Sequence, residues 1–169
     1  MKENRLAQME VYNRYYKAMY NTALRIVKNS DEAEDIMQEA FLTAFSKLNS
    51  LKSKDDFGSW LKRIVVNQSI TIYRKQVFHL DVEDEKISEN IESGSTDDDV
   101  LTQLKTREVL AAMDNIKSNY RTVLTLYYIE GYDYEEIADI MKLSYANSRT
   151  MLSRAKESLR NKLTHNTIA

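Results

Sequence analysis

Five carboxylates fall in the run SDEAEDIMQEAF (30–41), with no base among them. Acids this dense can ligate a metal, share a proton as a catalytic pair, or face a cationic partner. A di-iron centre in a helical bundle needs Glu-x-x-His pairs on facing helices. The two histidines, His79 and His165, have Gln76 and Lys162 in place of the glutamate. A calcium loop alternates oxygen ligands around a central glycine, and the run has no glycine. The chain has no cysteine, which removes thiolate metal sites, thiol nucleophiles and disulfides. Acids on the polar side of a helix start are kept ionised by water, which disfavours proton transfer. No catalytic residue, metal site or cofactor is therefore assigned, and the chain is not read as an enzyme.

Spacing says more about the same run. At about 100° per residue, Asp35, Gln38, Glu39 and Leu42 share one outward face. Leu42 stands opposite the side carrying Ile36 and Phe41. An apolar residue among hydrogen-bonding ones suits a docking surface. Early acids that complement the helix dipole beside a single exposed leucine explain the pattern equally well, and spacing leaves both readings open. Two basic faces follow. Arg63, Asn67 and Arg74 fall within about 40° of one another on a helix, with Lys62, Gln68 and Lys75 to the sides. Arginine and lysine hold phosphates, and asparagine can read a base edge. Near the C-terminus Asn147, Arg149, Thr150 and Ser153 are followed by Arg154, Lys156, Arg160 and Lys162. Each basic face is also consistent with solvated polar surface, the second with cations that suit the helix's own dipole.

The elements that must carry these faces are helices. Proline is absent and glycine occurs three times, so turn and strand punctuation is sparse. Tyr12, Tyr15, Tyr16, Met19, Tyr20, Ala23 and Val27 recur at helical steps over 3–28. Ser30 is read as the cap of a second helix that buries Ala33, Ile36, Met37, Ala40, Phe41, Ala44, Phe45 and Leu48. A third runs from about Phe57 to Lys75 on Phe57, Trp60, Leu61, Ile64 and Val65. In the second half, one helix spans Val100 to about Ile116. Another follows the cap Ser118 to about Glu130, where Gly131 stops it. A short helix after Asp133, a turn at Lys142-Leu143-Ser144 and a basic helix from Tyr145 form a helix-turn-helix pattern.

Charge divides the chain in the same way. The net of -2 averages +4 over residues 1–76, -8 over 77–99 and +2 over 100–169. The middle segment has no sustained period and little to bury, the composition of a linker. The expectation is an all-α protein of two small helical domains, 1–76 and 100–169, joined by an acidic linker at 77–99. No apolar run approaches the roughly 20 residues that span a bilayer, and MKENRLAQME lacks a signal-peptide core. The chain is expected to stay where it is made, in the cytoplasm.

Taken together, the two blocks resemble the extracytoplasmic-function (ECF) sigma factors of the bacterial sigma-70 family. EAEDIMQEAFL (32–42) is similar to the family's D-A-E-D-[LIV]-x-Q-E-[TA]-F-L, and WLKRIVVN (60–67) to W-L-x-R-I-A-x-N. The stretch EGYDYEEIA and the later LSRA are similar to its E-G-x-S-Y-x-E-I-A and L-S-R-A. The resemblance covers nearly the whole chain. It implies a first domain that docks on core RNA polymerase and opens the -10 element of promoter DNA, and a second that reads the -35 element. It places Asp35, Gln38, Glu39 and Leu42 against polymerase, Arg63, Asn67, Arg74 and Lys75 at the -10 element, and Asn147, Arg149, Thr150, Ser153 and Arg154 at the -35 element. An anti-sigma factor is an expected further partner. The tether would occupy positively charged polymerase channels.

The chain departs from the family pattern in its last helix. V-G-T-V-K-S-R is usual before L-S-R-A, and YANSRTM (145–151) stands here. Arg149 keeps the basic character of the Lys, Met151 removes an expected DNA contact, and Ser148 replaces a Val that packs. Thr71 stands where an Asp is frequent. Promoter preference does not carry over through such a segment. Two other classes compete with the sigma-factor reading: a helix-turn-helix regulator that never engages polymerase, and a helical adaptor that binds no DNA. The acidic face and the acidic tether discriminate, since an ordinary regulator needs neither.

Overall fold

The computed structural model describes residues 2–51, 53, 56–79 and 100–166. Its compact units are Met1–Ile87 and Ser88–Ala169, and every regular element among the described residues is helical. Most of the expected acidic linker, residues 80–99, lies outside the described residues.

The first unit packs three helices, each against both others: α1 (Lys2–Val27), α2 (Ser30–Ser46) and α3 (Phe57–His79). Lys28 at φ 58° ends α1, and Asn29 rather than Ser30 caps α2. The Glu32 amide donates to Asn29 Oδ1 at 3.0 Å, leaving Ser30 as the first helical residue. Both residue types cap well. The left-handed turn at Lys28 delivers Asn29 in the extended conformation a cap needs.

The core follows the expected stripes with a shift in each helix. On α1 the buried apolar line is Met19, Ala23, Ile26 and Val27. Tyr16 is exposed and stacks on Tyr12 (5.9 Å, 13°). On α2 all six residues from Ala33 to Ala44 in the expected stripe are buried. Phe45 is half-buried and Leu48 exposed, because α2 stops at Ser46 and a 3₁₀ turn, Leu48–Ser50, leaves the stripe. On α3 the face extends past the expected residues to Val66, Ile70 and Tyr73, with Trp60 and Ile64 half-buried. The helix continues through Val77 and Phe78 to His79 rather than ending near Lys75; nothing in Gln76-Val77-Phe78 stops a helix.

Two local contacts position α3. A Cβ at Gly58 would lie 3.0 Å from the Tyr15 ring, so glycine lets the start of α3 seat on α1. Farther along, Gln76 Nε2 donates to both Glu32 carboxylate oxygens at 2.6 Å, tying α3 to the start of α2.

The second unit contains α4 (Val100–Asp114), α5 (Ser118–Leu124), α6 (Tyr134–Met141) and α7 (Tyr145–Asn166). α4 ends at Asp114, short of the expected Ile116, where Asn115 Nδ2 donates to the Ala111 carbonyl at 2.8 Å. Ser118 opens α5 but does not cap it; Lys117 holds the cap position without a side-chain bond. The expected single helix to Glu130 becomes a π-helical turn at Thr125–Ile129. The Glu130 amide reaches the Thr125 carbonyl at 3.0 Å, and Gly131 at φ 80° closes the turn. The core gathers Val123, Leu124, Leu126, Ile137, Leu152 and Ala155, all at most 1% exposed.

Candidate functional site

The helix-turn-helix is built by local chemistry. The Glu136 amide donates to Asp133 Oδ1 (2.8 Å) and the Asp133 amide to Glu136 Oε2 (3.1 Å). This reciprocal capping box fixes the start of α6. Lys142 at φ 56° ends the helix, with the Leu143 amide bonded to the Ala138 carbonyl at 2.9 Å. Ser144 Oγ then accepts from the Asn147 amide at 3.2 Å and starts α7.

On α7 the residues expected at the -35 element, Asn147, Arg149, Thr150, Ser153 and Arg154, are all exposed. Ala146, Arg149, Thr150, Ser153 and Arg154 line one shallow depression. Asn147 is not part of that lining; it lies about 100° round the helix from Ala146. Ser148 is fully buried, and its hydroxyl donates to the Tyr134 carbonyl at 3.1 Å. The departure from valine is thereby accommodated: the hydroxyl that burial would strand finds an acceptor on the facing helix. Met151 is half-buried and offers no hydrogen bond to a phosphate.

In the first unit Asp35, Gln38, Glu39 and Leu42 are all exposed on α2, with Leu42 65% exposed. Gln38 Nε2 donates to Glu34 Oε1 at 3.2 Å, which holds the amide along the acidic face. Arg63, Asn67, Arg74 and Lys75 are exposed on α3. The structure adds a relation that spacing does not give. Asp35, Ile36 and Glu39 of α2 face Asn67, Gln68, Thr71 and Ile72 of α3 across one groove. Asn67 therefore stands near acids as well as on the basic stripe, while Arg63 and Arg74 lie outside the groove lining. Thr71 donates to the Asn67 carbonyl at 2.8 Å, and Gln68 Oε1 is buried without a hydrogen-bond partner among the described residues.

A cluster of tyrosines beside α7 was not anticipated. Tyr127, Tyr134 and Tyr145 form a line of ring contacts, and Lys156 Nζ lies 4.6 Å from the Tyr127 centroid and 5.4 Å from that of Tyr128. Burial alone pulls the Lys156 ammonium down; its hydrogen bond to Tyr128 and the attraction of Tyr128, Tyr134 and Tyr127 outweigh that and hold it above its ordinary value. The abundance of tyrosine is plain in the sequence, but the π-helical turn that aims Tyr127 and Tyr128 at α7 has no sequence signature. Among the described residues no group of three or more His, Cys, Asp or Glu is arranged to hold a metal ion. No helix among them is long and apolar enough to cross a membrane.

Comparison with known proteins matches the family described as sigma-70 region 2 over residues 11–78 and sigma-70 region 4 over residues 106–159. The ECF RNA polymerase sigma factor SigM of Bacillus subtilis (strain 168) is 30% identical over 152 residues, spanning 89% of this chain and 91% of that one. SigW of the same organism is 29% identical over 163 residues, spanning 91% of this chain and 87% of that one. Among solved structures, the sigma factor RpoE of Bartonella quintana, in complex with the anti-sigma factor NepR, shares the fold. The TM-score is 0.60 at 20% identity, over 92% of this chain and 96% of that one. With region 2 falling on α1–α3, region 4 on the helix-turn-helix unit, and a full-length relative at this identity, the chain belongs to the ECF sigma factors of the sigma-70 family.

Proposed function

We propose that this sigma factor, which directs core RNA polymerase to promoters, divides its work among three helices. α2 docks on core polymerase through Asp35, Gln38, Glu39 and Leu42. α3 holds the opened -10 element with Arg63, Asn67, Arg74 and Lys75. α7 reads the -35 element with Asn147, Arg149, Thr150, Ser153 and Arg154. The observation that carries the reading is Leu42. Its 65% exposure, within a surface of ionised and amide side chains, supports a protein partner over a merely solvated helix start. The groove that places Asn67 beside Asp35 and Glu39 supports a coupling between docking on polymerase and holding the opened strand.

The domain limits we assign are 1–79 for docking and the -10 element, because α3 runs to His79, 80–99 for the acidic linker and 100–169 for the -35 element. The linker, net -8, competes with phosphates for the two net-positive blocks, so the free chain binds promoter DNA weakly until polymerase sequesters it. The chain brings no catalytic chemistry and no cofactor of its own. It acts in the bacterial cytoplasm, and an anti-sigma factor restrains it, a reading supported by the structurally similar sigma factor RpoE in its complex with the anti-sigma factor NepR.

Charge reversal tests the docking face. Asp35→Lys with Glu39→Lys adds repulsion as it removes attraction, a change of several kcal/mol at an interface. The double variant is expected to keep its helical content and lose co-purification with core polymerase. Wild-type recovery on core enzyme would remove the assignment.

A further inference from the structure

Four tyrosines of the second unit, Tyr127, Tyr128, Tyr134 and Tyr145, form a line with a cation at each end. Tyr128 meets Tyr127 edge-on (5.0 Å, 88°), Tyr127 meets Tyr134 at 5.4 Å, and Tyr134 meets Tyr145 at 6.5 Å and 72°. Lys156 covers the Tyr127 and Tyr128 end. At the other end the Arg149 guanidinium lies 5.9 Å from the Tyr145 centroid. Tyr145 is the first residue of α7 and 48% exposed; Arg149 follows one turn later, on the lining of the depression. The Tyr134 ring, set edge-on, backs the Tyr145 ring and restricts its swing.

This geometry bears on how Arg149 meets DNA. A guanidinium recognises a base edge only when its planar fork is aligned with two acceptors. An arginine on an open helix samples many rotamers, and ordering it on binding opposes association. A ring that already holds the guanidinium reduces that loss and limits the directions from which the fork approaches the groove. At this position the ECF pattern carries a valine, which has no π-face.

We propose that Tyr145 is a positioning residue that sets base preference in the upstream promoter element by holding the Arg149 guanidinium at the edge of the α7 depression. The inference rests on α7 being the base-reading helix. The aromatic face does the holding, and the hydroxyl is dispensable. Lys156, on the same side of α7 about two turns beyond Arg149, is occupied by Tyr127 and Tyr128 and is not the residue Tyr145 serves.

The test is selection of a randomised upstream element by the full-length chain bound to core polymerase. Arg149→Ala first identifies the base pair that Arg149 reads. Tyr145→Val is expected to weaken preference at that same base pair roughly two- to fivefold, the scale of an exposed cation–π contact, and at no other. Tyr145→Phe, which keeps the ring, is expected to restore the preference lost in Tyr145→Val. In an Arg149→Ala background, Tyr145→Val should add nothing. Tyr145→Leu carries the same expectation as Tyr145→Val and replaces it if valine disturbs the fold, as judged by helicity and core-polymerase binding. Undiminished preference in both Val and Leu variants would overturn the inference. So would an equal loss in Tyr145→Phe, or a loss that adds to that of Arg149→Ala. If Arg149→Ala itself shifts no base preference, the reading of α7 fails and the inference falls with it.

Discussion

The two long basic helices, α3 and α7, look alike in the sequence and differ in what surrounds them. Both expose arginines and an asparagine at helical steps. Beside α3 runs a groove whose far wall carries Asp35 and Glu39, so an acidic wall and the cations of α3 lie in one unit. The depression on α7 is lined by Ala146, Arg149, Thr150, Ser153 and Arg154, with no acid. A mixed-sign surface beside an exposed leucine suits a protein partner next to a nucleic-acid one. A cationic surface of short hydrogen-bonding side chains at a helix start suits base edges and phosphates alone. The type of each basic residue is thus less informative than the sign of its neighbours, which depends on packing.

The largest expected effects separate the units themselves. Leu61 and Leu152 are essentially fully buried, one in each core. Leu61→Ala and Leu152→Ala should each destabilise by about 2–5 kcal/mol. Hydrogen exchange followed by peptide mass should show the loss confined to α1–α3 in the first case and to α4–α7 in the second. Equal loss of protection across both units would break the comparison, since the two helices would then belong to one cooperative core.

Next in size is the base-reading term. Arg149→Ala and Asn147→Ala should each relax discrimination by about 1–3 kcal/mol. They should do so at different base pairs, because only Arg149 lies in the depression lining. Relaxation at the same base pair, scored by binding to a set of single-substitution upstream elements, would show that the depression does not delimit the contact.

The smallest effects concern the frame that holds α7, and they have opposite signs. Asp133→Ala removes a capping-box acceptor and should destabilise the second unit by about 0.5–2 kcal/mol. Lys142 sits at φ 56°, and Lys142→Gly should stabilise by about 1 kcal/mol by relieving left-handed strain. Its pair with Asp139, at 61% and 66% side-chain exposure, offers little to lose. Thermal melts of the two variants should move in opposite directions.

The pattern of these effects mirrors what could be read from the chain. Helical stripes, the turn at Lys142 to Ser144 and the outward placement of Asp35, Gln38, Glu39 and Leu42 follow from period and residue type, and all appear in the fold. The choice of Asn29 over Ser30 as a cap did not follow, since both residues are competent and a backbone angle at Lys28 decides between them. Nor did the π-helical turn, which depends on how Tyr127 and Tyr128 meet α7. The resemblance puts Ser148 where a valine packs, but the partner of its buried hydroxyl was hidden, because that acceptor is a carbonyl fourteen residues earlier. The groove joining α2 to α3 was hidden for the same reason: both walls are visible in sequence, and their meeting is not.

The division of labour between α3 and α7 is tested most directly by permanganate footprinting of the -10 element, on duplex and on pre-melted promoter templates. Asn67→Ala should reduce strand opening on the duplex even with an optimal upstream element, and the pre-melted template should restore part of the loss. Arg149→Ala should leave opening intact wherever the promoter is strong or already melted. Equal loss of opening in both variants, with no recovery on the pre-melted template, would contradict the assignment of the two helices.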